Sequence, residues 1–246
     1  MKRRTFRGRA LGWSVASVLS IAVCAVVGTL VHGIAVQEVA AQGVAAQDTA
    51  AGEWPTYGGD LRSTRYAPHD QITADNFSDL EVAWRFKTDA LGPRPEFNLQ
   101  ATPLMVNGVI YTTAGTRRAA VALDAATGEM LWMHREDEGP RGESAPRRLS
   151  GRGLAYWSDG QDARIVYVTP GYQMVALDAK TGNRVPGFGR DGIVDLKLDD
   201  DQEMDLVTGE VGLHAAPVIA GDVVVIGAAH LPGSIPERRN NEKGYV

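Results

Sequence analysis

Cysteine is nearly missing from this chain: Cys24 is the single thiol among 246 residues, and it lies inside an apolar N-terminal stretch. Without that stretch no thiol remains, which excludes an intrachain disulfide and any cysteine-based metal site. Phenylalanine is scarce too, with 5 against 28 glycines, a balance that favours many turns over long helices and points to an all-β chain. Beyond the N-terminus, basic charge is also in deficit. Lys2, Arg3, Arg4, Arg7 and Arg9 precede the first acid, Glu38, and residues 42–246 hold 20 basic against 29 acidic side chains, a net charge of −9. No basic run interleaved with aromatics offsets it, so nucleic acid is not an expected partner. Length alone leaves the domain count open, because single all-β domains reach this size.

What the N-terminus does have is an address. Five positive charges in residues 1–9 are followed by 22 uncharged residues at 10–31 and by small residues at Val39-Ala40-Ala41 and Val44-Ala45-Ala46. This is the order of a cleaved export signal. Arg3-Arg4-Thr5-Phe6 also resembles a twin-arginine signal, the route for proteins that cross already folded. The alternative is an uncleaved anchor, since about 20 residues suffice to span a bilayer. Residues 1–46 are therefore read as signal peptide and linker, and residues 47–246 as the folded part, exported to the periplasm or cell envelope.

Internal repeats organise the remainder. Pro103-Leu104-Met105-Val106-Asn107-Gly108-Val109-Ile110-Tyr111 reads as a hairpin with Asn-Gly at its turn, and the segment from Pro217 to Ile226 repeats the pattern around Gly221. Residues 164–169 supply another strand. Ala122-Leu123-Asp124-Ala125-Ala126-Thr127-Gly128 is answered 54 residues later by Ala176-Leu177-Asp178-Ala179-Lys180-Thr181-Gly182. In each copy an apolar strand ends at Asp, whose carboxylate can hold backbone amides of the turn, and Gly supplies a positive φ before the next strand. A repeat of about 50 residues with several short strands is the sign of a propeller blade, which must stack on neighbours to bury both faces.

The first copy continues as Glu129-Met130-Leu131-Trp132 and resembles the tryptophan-docking motif of quinoprotein dehydrogenase propellers, the family that uses pyrroloquinoline quinone (PQQ). The resemblance makes Trp132 a structural residue between blades. The second copy departs from it, with Asn183 and Pro186 at the Lys/Glu and Trp positions, and Phe188 is the candidate substitute. Trp54-Pro55-Thr56-Tyr57-Gly58-Gly59-Asp60, Ser63-Thr64-Arg65-Tyr66-Ala67-Pro68 and Ile72-Thr73-Ala74-Asp75-Asn76 are similar to the opening of quinoprotein glucose and alcohol dehydrogenases. Val82-Ala83-Trp84-Arg85-Phe86 fits the strand that follows. The implied fold is the first blades of an eight-bladed propeller, with the chain ending before the ring is complete.

PQQ is a flat, tricarboxylated ortho-quinone that needs cations or amides for its carboxylates, close-packed surfaces on its faces and a metal on its reactive carbonyl. By resemblance, Arg152 in Gly151-Arg152-Gly153-Leu154-Ala155-Tyr156-Trp157 contacts the cofactor, a solvated turn arginine being the alternative. Gln100 in Leu99-Gln100-Ala101-Thr102-Pro103 stands where relatives carry Glu or Gln. His214 in Leu213-His214-Ala215-Ala216-Pro217 takes a place often held by Thr, the alternative being a core histidine. Gly227 and Ala228 belong to a small-residue strand end that lies against the cofactor plane in alcohol-oxidising members.

Two departures qualify this. Pro146 and Arg147 stand where methanol-type relatives have adjacent cysteines, which directs the reading to a glucose-type or other branch. An insertion at 231–242 leaves Glu237 and Glu242 unassigned as ligands of calcium or another divalent cation. The catalytic base is expected beyond Val246, so the fragment by itself is expected to be inactive. The resemblance thus implies oxidation of an alcohol or sugar hydroxyl, with electrons passed to a cytochrome or membrane quinone. The alternative is a non-enzymatic propeller scaffold that serves envelope-protein assembly.

Overall fold

The computed structural model describes residues 52–198 and 202–230, so the export signal and residues 231–246 with Glu237 and Glu242 lie outside the described residues. Among the described residues, two four-stranded antiparallel meanders and one hairpin make up the fold. The first sheet runs β1 (Leu104–Val106), β2 (Val109–Ala114), β3 (Ala119–Asp124) and β4 (Met130–His134) in chain order. The second repeats it with β5 (Ala155–Ser158), β6 (Ala163–Val168), β7 (Gln173–Asp178) and β8 (Ile193–Asp195). Hairpin β9 (Val218–Ala220) and β10 (Val223–Val225) follows. A single helical turn, α1 (Pro140–Glu143), lies in the long loop from β4 to β5. An all-β chain built of propeller blades is what the sequence predicts.

The turn chemistry works as the repeat implies. Asn107 and Gly108 both take positive φ, 50° and 76°, the geometry that closes a two-residue hairpin with the native strand twist. Asp124 Oδ1 accepts the Ala126 N–H at 3.0 Å, the Thr127 N–H at 2.8 Å and the Thr127 hydroxyl at 2.8 Å. Asp178 repeats these bonds with Lys180 and Thr181. A third copy, Asp205-Leu206-Val207-Thr208-Gly209, closes the same way. Sequence comparison of strand-flanked copies passes over it because no apolar strand leads into Asp205.

Strand alternation buries both faces of the central strands. Ala120 and Ala122 of β3 join Leu104, Val106 and Tyr111 against Ile165, Tyr167, Val175 and Leu177 of the second sheet and Leu154 just before it. Ala119, Val121 and Leu123 face the other way, onto Trp84, Phe86 and Leu91. A third cluster sets Val168 and Tyr172 of the second blade against Val211 and Leu213, with Ile226 and Ala228 packed on it.

Trp132 docks the first blade on the second. Its indole N–H donates to Ala179 O at 2.9 Å, and a Cβ at Gly182 would fall 2.7 Å from its ring. Gly182, at φ 71°, is therefore required twice, for the turn and for the ring that lies on it. Trp84 makes the same contact one blade earlier, through Ala125 O at 3.1 Å and the face of Gly128. No strand forms at 82–86, however, and the segment pairs with none of the described strands. Phe188 does not replace the missing tryptophan. It sits in the turn 185–192 and joins none of the three clusters, while Leu196 and Met204 pack against the third.

Candidate functional site

Gln100 precedes β1, Arg152 lies in the loop before β5, and His214 precedes β9, so each stands at the entry to a different sheet. The backbone laces these entries together. The Thr102 N–H donates to Arg152 O at 3.0 Å and the Arg152 N–H donates to His214 O at 2.9 Å. Side chains add a direct link: His214 Nε2 lies 2.6 Å from Gln100 Oε1. An amide oxygen only accepts, so Nε2 carries the proton there and Nδ1 is left as an acceptor. Three residues separated by up to 114 positions thus form one constellation.

Its electrostatics are positive. Burial lowers the His214 pKa below its ordinary value, and the charges of Arg118, Arg152 and Arg147 lower it further, so the imidazole is neutral at pH 7. The exposed Arg152 guanidinium donates to the Tyr57 hydroxyl at 3.4 Å, a long bond that brings the Trp54-to-Asp60 opening segment to the site. That bond is the main cause of a lowered Tyr57 pKa, against which burial acts. The opening segment is itself fixed by an antiparallel bridge between Trp54 and Met105, with bonds of 2.8 and 3.0 Å, and by Glu53, whose carboxylate accepts the Asn107 N–H.

Gly227 and Ala228 are not seen to touch Gln100, Arg152 or His214; they adjoin the bridge that leads toward His214. Gly212 and Ala229 exchange backbone bonds of 2.9 and 2.7 Å, two residues before His214, and the Tyr172 hydroxyl donates to Gly227 O at 3.0 Å. Gly227 has no positive φ to require glycine, and a Cβ there would meet no atom within 4 Å. Among the described residues no carboxylate hydrogen-bonds to Gln100, Arg152 or His214, and no three His, Cys, Asp or Glu side chains gather to hold a metal ion. The donor set fits PQQ on this side; metal ligands are not assigned.

Tyr57 and Arg118 also belong to the surroundings of the site, as does Arg147, which the sequence marks only as a departure from the adjacent cysteines of methanol-type relatives. Tyr57 lay within the quoted opening motif, while a buried arginine bonded only to carbonyls has no sequence signature. A cleft of about 400 Å³ lies to one side, lined by Arg94, Thr116, Glu136, Glu143 and Arg148 among others. Of its carboxylates, Glu136 is committed to Arg184 and His134 and Glu138 to Thr169 and Gly171, and none of Gln100, Arg152 and His214 lines it.

Residues 54–246 match the family described as "Glucose/ethanol/alcohol dehydrogenase, beta-propeller domain". The glycerol dehydrogenase large subunit of Gluconobacter thailandicus is 32% identical over 79% of this chain and 26% of its own length. The 1-butanol dehydrogenase (cytochrome c) of Thauera butanivorans is 34% identical over 71% of this chain and 22% of its own. Among solved structures, the quinohemoprotein alcohol dehydrogenase of Comamonas testosteroni superposes with a TM-score of 0.56 at 25% identity, covering 74% of this chain and 24% of that one. The chain spans about a quarter of the length of these relatives. Matched over most of its length by one propeller family and sharing that family's blade construction, the chain belongs to the PQQ-dependent quinoprotein glucose/ethanol/alcohol dehydrogenases.

Proposed function

We propose that this chain forms one wall of the PQQ site in a longer, exported dehydrogenase that oxidises an alcohol or sugar hydroxyl. The observation that carries the reading is the convergence of Gln100, Arg152 and His214 from three sheet entries into a hydrogen-bonded, positively charged set. PQQ, when bound, supplies the two-electron acceptor for the hydroxyl carbon.

The chain's own residues bind and orient. Arg152 presents planar, permanently charged donors, which suit carboxylates and the oxygen that gains charge on reduction. The Gln100 amide, its oxygen held by His214, keeps its N–H donors for a ligand edge, and His214 Nδ1 offers an acceptor. Gly227 and Ala228 permit close approach to a planar face. Neither a catalytic base nor a ligand for calcium or another divalent cation is assigned among the described residues. The relative named for cytochrome c supports a cytochrome as electron acceptor, and the basic-then-apolar N-terminus supports delivery to the envelope. No observation favours the scaffold reading over this one.

The test is turnover. The complete protein, reconstituted with PQQ and calcium, is expected to reduce an artificial dye with a primary alcohol, glycerol or an aldose, and the 246-residue chain alone to show none. Absence of turnover with every one of these substrates, despite bound PQQ, would contradict the reading.

A further inference from the structure

Arg118, at the end of the turn between β2 and β3, is only 3% exposed, yet no carboxylate hydrogen-bonds to it. Its guanidinium is satisfied by four backbone carbonyls. Nε donates to Leu149 O at 3.0 Å and Nη2 to Arg147 O at 2.9 Å, both in the loop that leads to Arg152. Nη1 donates to Val168 O at 2.9 Å, at the end of β6, and to Leu213 O at 2.8 Å, the residue before His214. Gly151, the residue before Arg152, lies against the guanidinium so closely that a Cβ there would be 3.0 Å from Cζ. One cation therefore reaches from the first sheet, under the Arg152 loop, past the second sheet to the entry of the third.

Stability alone is a poor reason for this arrangement. A desolvated charge bonded only to neutral acceptors is costly to bury, and apolar side chains fill such a space at lower cost. Burial pushes the Arg118 pKa down to about 10, which leaves the group charged at neutral pH. What the arrangement does provide is a fixed spacing between the two backbone segments that carry Arg152 and His214. Resting on the PQQ reading only for the identity of the ligand, we propose that Arg118 is a positioning residue that holds Arg152 and His214 in register across the blade junction.

Lysine at this position keeps the charge but has three donors on a tetrahedral head in place of a planar fork, so it cannot hold four carbonyls at once. The complete protein, prepared without PQQ, serves as the sample for Arg118→Lys and Arg118→Met, read by hydrogen exchange of peptides covering residues 147–153 and 212–216. These amides are expected to exchange at least about tenfold faster in both variants, while β2, β3, β6 and β7 keep their protection. PQQ is then expected to bind at least about tenfold more weakly to Arg118→Lys, as a site that must be reordered on binding does. Unchanged exchange at 147–153 and 212–216 would overturn the proposal, as would an equal loss of protection through all four strands, which marks a purely structural role. Faster local exchange in the variants, together with a wild-type protein that binds no PQQ, would refute the ligand reading and leave the positioning role standing.

Discussion

At the scale of single residues, the loop that carries Arg152 is held to the second blade by charge. Glu136, one-tenth exposed, accepts two bonds from Arg184 at 2.6 and 2.9 Å and one from His134 at 2.7 Å. Glu138 accepts from the Thr169 hydroxyl and the Gly171 N–H, and Arg141 pairs bidentately with Asp195. Burial raises the Glu136 pKa, but the bonds from His134 and Arg184 together outweigh it and hold the carboxyl below its ordinary 4.5. A depressed folded pKa stabilises above the unfolded value, and that contribution is lost as pH falls through the folded one. Melting temperature is therefore expected to drop as pH falls below about 4.5, with Asp195 acting in the same direction. Glu136→Gln should lower stability at pH 7 by about 1–3 kcal/mol and flatten that acid limb. Parallel melting curves for the two proteins from pH 7 down to the onset of acid unfolding would contradict this. The loop's anchors were not legible in the sequence. No sequence pattern marks Glu136, Glu138 and Arg141, because all partners of their side chains but His134 lie 30 to 54 positions away.

At the scale of elements, one device recurs: an Asp-x-x-Thr-Gly turn whose glycine receives an indole from the preceding blade. Gly128 under Trp84 and Gly182 under Trp132 are the two instances. This much was legible, since the turn depends on local bonds between residues two or three apart and the strands on apolar runs of period two. Where partners are distant, legibility failed. Phe188 carries the right chemistry at nearly the right place, yet the excursion at 185–192 removes it from the fourth strand. Residues 82–86 have strand composition but pair with none of the described strands. Trp132→Ala removes a half-buried ring and its bond to Ala179 and is expected to cost about 3 kcal/mol. Met130→Ala, at a side chain 47% exposed on the same strand, should cost less than about 1 kcal/mol. Denaturant unfolding of both variants checks this, and equal midpoints would remove the docking role of Trp132.

At the scale of the whole molecule, the described residues form two four-stranded blades and a further hairpin, and the chain spans about a quarter of the length of its relatives. Val218, Val223 and Val225 of the last hairpin are 46%, 57% and 41% exposed, an apolar surface of the kind that blade stacking covers elsewhere in the fold. The site residues share this logic. Gln100, Arg152 and His214 were identified one by one through motif resemblance, and their mutual hydrogen bonds exist only because successive blades present their strand entries at one end of the stack. Arg118 makes the same point from beneath: its four acceptors come from segments 29 to 95 positions away, a distance at which sequence pattern carries no information. The central claim is that this set binds PQQ through Arg152. Titration of PQQ into the complete protein in the presence of calcium, followed by fluorescence or calorimetry, tests it directly. Arg152→Ala is expected to lose about 1.5–3 kcal/mol of binding, or roughly 10- to 150-fold in Kd, with its melting temperature unchanged. Equal affinity in wild type and Arg152→Ala would contradict the account.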